Sequence, residues 1–397
     1  MVKRTVCEKN RCCGCKACKC ACPKDAIEIF DRVQYFEAVI DNDRCINCDR
    51  CKKVCPNETA SILLEPIKWF QGWARSEEIR ESSSSGGFAR VISEYFVLHG
   101  GTVCSCVYEK GQFGFEMIDS VESLSRFSGS KYVKSDVGEC YESIRKKLRQ
   151  DEKVLFIGLP CQVAAVKNYV GDRYWDNLYT VDLICHGTPS VNLLRMYFSE
   201  KNISLANVKK ISFRQKDKFA IGGSVSFTPY GIMDRYSVAF LAGICYTENC
   251  YQCKYANRKR VADITIGDSW GSELTDQINK GISLIACQTE KGLKILEMLD
   301  FEYLPVNVEK AIASNHQLNA PSKRPAFLDA FYKDLNDGKN FSDTVFKYCK
   351  VKCLKQITKQ ILVKYHLMKI RGGYRLSYKI DTCNSIIFKN QGGNKNV

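Results

Sequence analysis

Six cysteines fall between Cys12 and Cys22 in "RCCGCKACKCACP", and four of them set a pattern that returns further on. Cys12, Cys15, Cys18 and Cys22, followed by Pro23, are spaced C-x2-C-x2-C-x3-C-P. A shift of 33 residues gives Cys45, Cys48, Cys51, Cys55 and Pro56 with the same spacing. Registers starting at Cys13 or Cys15 fail, because they put Lys16 or Ala21 where a cysteine is needed, so Cys13 and Cys20 are expected to be spectators. A run of three closely spaced thiolates lets one loop reach three irons. The fourth, before a proline, crosses to the neighbouring cluster, which is the ligand pattern for two cubane iron–sulfur clusters. The expected sets are Cys12, Cys15, Cys18 and Cys55 on one 4Fe–4S cluster, and Cys45, Cys48, Cys51 and Cys22 on the other. A zinc knuckle would use paired C-x2-C ligands instead of triplets plus one at constant offset.

The rest of the composition fits that chemistry. With 397 residues and 45% apolar content the chain has room for two or three domains and a sizeable core. Twenty-three cysteines in a short secreted chain would mean a disulfide scaffold. Here the length, the lack of a signal-peptide pattern and the ferredoxin-like spacing lead us to expect a reducing cytoplasm and suggest an anaerobe. No apolar run is long enough to span a membrane.

The net charge of +15 is partly local. From Thr344 to Ile380 there are ten Lys or Arg and no Asp or Glu. Leu354, Ile357, Ile361, Tyr365 and Met368 recur there at helical spacing. A basic amphipathic helix of this kind reads as a peripheral contact with the inner membrane face or with an acidic partner; the alternative is a helix packed on its own domain with its lysines in solvent. No nucleic-acid-binding motif is present. The expected organisation is a small ferredoxin-like domain at 1–65, a larger α/β domain at 66–343 and a basic helical tail at 344–397, giving an α+β / α/β chain overall. "PIKWFQGWAR" (66–75) is read as the link between the first two.

Within the larger domain, "ESSSSGGFARVISEYF" places serines and glycines before a helix with Val91, Ile92, Tyr95 and Phe96 on one face. Such a loop offers N–H groups and hydroxyls to an anion, although serine is also a common cap. "KVLFIGLPCQVAAVKNYV" reads as a strand at 154–157 turning into a helix, with Cys161 at the junction. "YTVDLICHGTPSVNLLRMYF" repeats the arrangement and places Cys185 and His186 at the second strand end. A strand–helix–strand unit implies a parallel crossover, and ligands in such sheets lie beyond the carboxyl ends of the strands. Cys161 and Cys185 are thus half of a metal site or, taken singly, buried structural thiols. Cys250 and Cys253, a C-x2-C pair, supply the other half of a third cluster, with Cys245 as the reserve ligand. "ADITIGDSWG" reads as a further strand, 264–266, ending at the same edge.

The stretches "SSSSGGF", "GSKYV", "GLPCQ", "DLICHGTPS", "FRQKD" and "CYQCKYANRKRVADITIGDSWG" together resemble the coenzyme F-420 hydrogenase/dehydrogenase beta-subunit family, behind an N-terminal two-cluster ferredoxin unit. The resemblance implies an iron–sulfur flavoprotein oxidoreductase. A main-domain cluster would pass electrons to FAD, and FAD would serve a small-molecule acceptor, either the deazaflavin coenzyme or a substrate linked to surface-glycan synthesis. It further implies that Ser84, Ser85, Gly86 and Gly87 with Ser130 and Lys131 hold the flavin, with His186 as a proton donor or as a structural residue. The Gly-Trp pair that the family carries after its Phe-Arg motif is absent from "FRQKDKFAIGG". Implied partners are a ferredoxin or a dehydrogenase or hydrogenase subunit. A non-catalytic electron-transfer subunit is the rival reading.

Overall fold

The structure, a computed structural model, describes residues 4–368 and the strand Ile386–Ile387. In the N-terminal unit, β1 (Ile27–Asp31) and β2 (Phe36–Ile40) pair antiparallel. Phe36, Ala38 and Ile40 alternate inward along β2. The cysteine repeat is also a backbone repeat. The helices Ala17–Ala21 and Arg50–Val54 occupy equivalent positions. Each is preceded by two left-handed residues, Gly14 and Lys16 in the first copy, Asn47 and Asp49 in the second. Alternation of left-handed residues with their neighbours turns successive N–H groups into a concavity suited to an anionic centre.

The larger domain contributes β3 (Lys68–Ala74), β4 (Thr102–Glu109), β5 (Gln112–Ile118), β6 (Val154–Gly158) and β7 (Leu178–Leu183). A hairpin of β8 (Ile211–Gln215) and β9 (Lys218–Gly223) follows, then β10 (Val225–Ser226), β11 (Ile264–Asp268), β12 (Ser283–Cys287) and β13 (Phe301–Leu304). Ile386–Ile387 (β14) pairs with β10. Eight strands form one mixed sheet in the order β13-β3-β12-β11-β7-β6-β4-β5. Its centre is parallel, with β4, β6, β7 and β11 side by side, and its flanks are antiparallel. β6 is buried along its whole length, as the "VLFI" run predicts, and Val163, Val166 and Val170 of the helix Pro160–Val170 are buried as expected.

One expectation changes. Residues 66–75 are not a link: Lys68–Ala74 is a full strand between β13 and β12. The ferredoxin-like unit is packed directly on the larger domain. Cys13, Cys15, Ala17 and Ile27 share one core with Val163, Ala164 and Tyr169. The hydroxyl of Tyr141 donates to the Cys15 carbonyl at 2.8 Å, Ser190 Oγ donates to Asp31 at 2.6 Å, and Lys16 pairs with Asp136. Burying those apolar groups from both units favours one docked arrangement.

The basic tail begins as the helix Lys350–Lys364. Its face toward the protein is Cys353 and Gln356. Leu354, Ile361 and Tyr365 of the expected apolar stripe are exposed. Residues 369–385, which carry the rest of the charged stretch, and 388–397 lie outside the described residues. No helix among the described residues is long and apolar enough to cross a membrane.

Candidate redox site

The eight repeat cysteines gather around two cavities. Cys12, Cys15, Cys18 and Cys55 border one, together with Cys7, Cys13 and the floor residues Ile29 and Ala38. Cys22, Cys45, Cys48 and Cys51 border the other. The fourth cysteine of each run thus stands with the three of the other run. No three His, Cys, Asp or Glu side chains among the described residues converge as they would around a single metal ion. A cubane binds each thiolate to a different iron, so its ligands stand further apart than those of one ion. The two cavities differ in setting. The second is near the surface, with Cys48 and Ile46 exposed. The first faces the large domain, and Cys13, which occupies the repeat position of Ile46, is buried.

Spacing makes Cys13 a spectator, but Cys15 and Cys161 are the side chains that act most strongly on its thiol. Cys161 lies in the first turn of the helix Pro160–Val170 just beyond β6, and Cys185 follows β7, which pairs with β6 in parallel. The neighbours of the Cys185 thiol are Cys250, Cys161 and Cys253. Burial is the first cause that pushes the thiols of Cys185 and Cys253 up, Cys253 to about 12, and crowding with the other thiols adds to it. Burial and crowding of this kind favour the neutral thiol of Cys185 and Cys253; a bound cation inverts that. Cys245 is not among the thiols that act on Cys185. It is fully buried in an aromatic core with Phe240 and Tyr246, near Cys349 as well as Cys250.

Beyond the carboxyl ends of β6, β7 and β11 opens a cavity of about 560 Å³, where a parallel sheet presents its ligand crevice. Cys185 and His186 form part of its wall, as do Ser84, Ser85, Gly87, Ser130 and Lys131. Gly86 does not. Its N–H donates to Ser283 Oγ at 3.1 Å, and a Cβ there would stand 2.4 Å from the Gly72 carbonyl oxygen. Gly86 is a close-packing glycine between β3 and β12. Gly87, at φ +95°, turns the chain into the helix Phe88–Leu98.

The serine loop is held from behind by the "FRQKD" hairpin. Arg214 Nη2 donates to the Ser84 carbonyl at 2.8 Å, and Lys216 Nζ donates to the carbonyls of Arg80, Ser83 and Ser85. With those carbonyls turned to cations, the N–H groups of Ser84, Ser85, Gly87 and Phe88 have no hydrogen-bond partner among the described residues. Free N–H groups at a helix start are an anion cradle. Arg214 is itself fixed by both carboxylate oxygens of Asp268, at 2.6 and 2.9 Å. Lys131 Nζ donates to the Phe127 and Ser128 carbonyls, and Ser130 N–H to Ser84 Oγ at 3.0 Å. Burial lowers the pKa of Lys131, and burial, with Arg80 and Arg214 adding to it, lowers that of Lys216 to about 8.

His186 also lines the cavity. The Gln317 amide N–H2 donates to its Nδ1 at 2.7 Å and to His316 Nε2 at 2.8 Å. Burial first, and then the His316 ring, lower its pKa to about 4. His186 is therefore a neutral imidazole near pH 7 with its ring proton on Nε2. Arg214, Lys216, Asp268 and Gln317 are not among the residues that the sequence marks for the site; the "FRQKD" and "TIGDSW" stretches stand out, but nothing local says that their side chains meet.

The chain thus combines two four-cysteine cavities, a third group of four cysteines and an adjoining large pocket, as an iron–sulfur electron-transfer protein requires. Residues 11–59 match a 4Fe–4S dicluster domain. Residues 151–309 match the family described as the C terminus of the coenzyme F420 hydrogenase/dehydrogenase beta subunit. The serine–glycine loop precedes the matched stretch. A solved chain of the F420-reducing NiFe hydrogenase complex from Methanosarcina barkeri, studied by xenon derivatization, is similar at 19% identity and a TM-score of 0.47. That similarity covers 67% of this chain and 99% of the other. No curated protein matches the chain.

Proposed function

We propose that the protein is an iron–sulfur flavoprotein oxidoreductase that carries electrons from an external donor, through the ferredoxin-like unit and a third 4Fe–4S site, to an organic acceptor in the large cavity. One observation carries the reading: the thiols form a continuous series. It runs from the surface-facing set through the Cys15 set to Cys13, Cys161 and Cys185, and Cys185 stands in the cavity wall. Cys161, Cys185, Cys250 and Cys253 would hold the third cluster.

The residues present fit FAD. The cradle of free N–H groups at Ser84, Ser85, Gly87 and Phe88 would take the pyrophosphate, with Lys131 and Lys216 offsetting its charge. Arg214 contributes less net charge, because Asp268 balances it. A flavin bound there would supply the exchange between single electrons and hydride that clusters alone lack. The protein's own part is to fix the loop through Arg214 and Lys216, to exclude water with the cavity's apolar lining, and to present a neutral His186. That imidazole can donate a hydrogen bond through Nε2 but is not a strong acid at neutral pH. The external donor, a ferredoxin or a dehydrogenase or hydrogenase subunit, would dock where Ile46 and Cys48 are exposed.

The test is the flavin content of anaerobically purified protein and of Gly87→Val. A branched side chain at φ +95° would also meet Ala74 Cβ and Ile79 Cγ2 at 3.1 Å and shift the cradle. Stoichiometric FAD in the wild type, lost in the variant while the dicluster signals persist, supports the assignment. Clusters without flavin in the wild type favour a carrier subunit instead.

A further inference from the structure

Lys134 is 7% exposed and has no carboxylate partner within ion-pair distance among the described residues. Its backbone N–H donates to the Pro189 carbonyl at 2.8 Å, which fixes it beside the loop that follows Cys185. Its ammonium donates to Cys161 Sγ at 3.5 Å. The other groups that act on it are thiols: Cys13, Cys250 and Cys185. A buried ammonium without a counter-charge is costly, and the groups beside it that can balance it are these sulfurs, as thiolates once they ligate a cluster. Hydrogen bonds to ligand sulfur and net charge at the site are main determinants of an iron–sulfur potential.

We propose that Lys134 sets the reduction potential of the cluster at Cys161, Cys185, Cys250 and Cys253, holding it up so that electrons from the ferredoxin-like unit pass into the large domain. The proposal rests on the third cluster put forward above. Lys134 acts through Cys161 and is a positioning residue for charge: adding an electron makes the cluster more negative, and a fixed cation beside one ligand favours that state. Position supports the direction as well. Lys134 also acts on Cys12 and Cys13, so it stands at the junction between the inner ferredoxin-like set and the third one, closest to the latter through Cys161.

Three proteins test this, wild type, Lys134→Met and Lys134→Arg, each prepared anaerobically and titrated redox-wise with electron paramagnetic resonance beside an iron count. Lys134→Met is expected to move the third cluster's signal to more negative potential and to leave the two dicluster signals in place, while Lys134→Arg stays near wild type. An unchanged potential in Lys134→Met overturns the proposal, and so does an equal shift in both variants, which would report lost packing. If Lys134→Met binds only the two dicluster cubanes, Lys134→Gln is measured too. Loss in Met and Gln but not in Arg supports the charge role, and loss in all three overturns it. A wild type that never shows a third signal refutes the underlying reading and removes this proposal with it.

Discussion

Arg260→Leu should both destabilise the protein and strip one cluster. Arg260 and Asp182 form an ion pair at 2.9 Å with side chains 1% and 0% exposed. The same guanidinium donates to the carbonyls of Tyr255 at 2.8 Å and Leu183 at 2.9 Å. It therefore ties the loop after Cys253 to the strand end before Cys185. In the variant Asp182 remains buried, with Oδ2 already lacking a partner. Breaking a buried pair by removing one member costs about 3–5 kcal/mol, a large share of the roughly 5–15 kcal/mol that holds a typical domain together. The expected readout is a lower urea midpoint at unchanged slope and the loss of about four irons, one cubane. The double variant Asp182→Leu/Arg260→Leu removes the stranded charge and should recover much of the stability but not the iron. A single variant that loses less than about 1 kcal/mol, the range of an exposed pair, and keeps its iron would refute the reasoning.

Serine substitutions at Cys161, Cys185, Cys250 and Cys253 should each lower the iron content by about four, whereas Cys245→Ser should not; an equal loss at Cys245, read by iron assay, would move the ligand set. Because the folded His186 titrates near 4 and an unfolded histidine near 6.5, the unfolded state takes up the proton first as pH falls. His186 should therefore withdraw stability progressively from pH 6.5 toward 4, in total by roughly 3 kcal/mol, and His186→Asn should flatten that part of the stability curve. Anionic vesicles should bind the chain in a salt-sensitive way, with about 1 kcal/mol per basic residue near the surface. Deleting 345–397 should release it without loss of iron; equal binding after the deletion would mean the tail is not the contact.

What the sequence made legible was local. The cysteine repeat specifies its own loops, because spacing alone decides which thiolates one turn can present. The strand at 154–157 is an apolar run and that at 264–266 a β-branched one, each ended by glycine. The strand Lys68–Ala74 was hidden, since "KWFQGWA" carries no clean alternation and owes its place to β12 and β13 more than two hundred residues on. The site divides in the same way. Ser84, Ser85, Gly87, Lys131 and Cys185 sit in motifs and line the cavity, while Gly86 sits in the same motif but serves packing. Arg214 meets Asp268 across 54 residues, and Lys134 meets Cys161 across 27. Such pairings depend on the sheet order, which no spacing reveals. Cys13 did leave a trace: the second repeat has Ile46 in its place, and that asymmetry marks the side facing the large domain.

The central claim is a continuous cluster series that ends at a flavin cavity, and the most direct test is an iron, sulfide and flavin count on protein purified and reconstituted without oxygen. The account predicts about twelve irons, four for each of three cubanes, together with one FAD per chain. About eight irons and no flavin would contradict it, leaving a dicluster protein whose third cysteine group and large cavity hold neither.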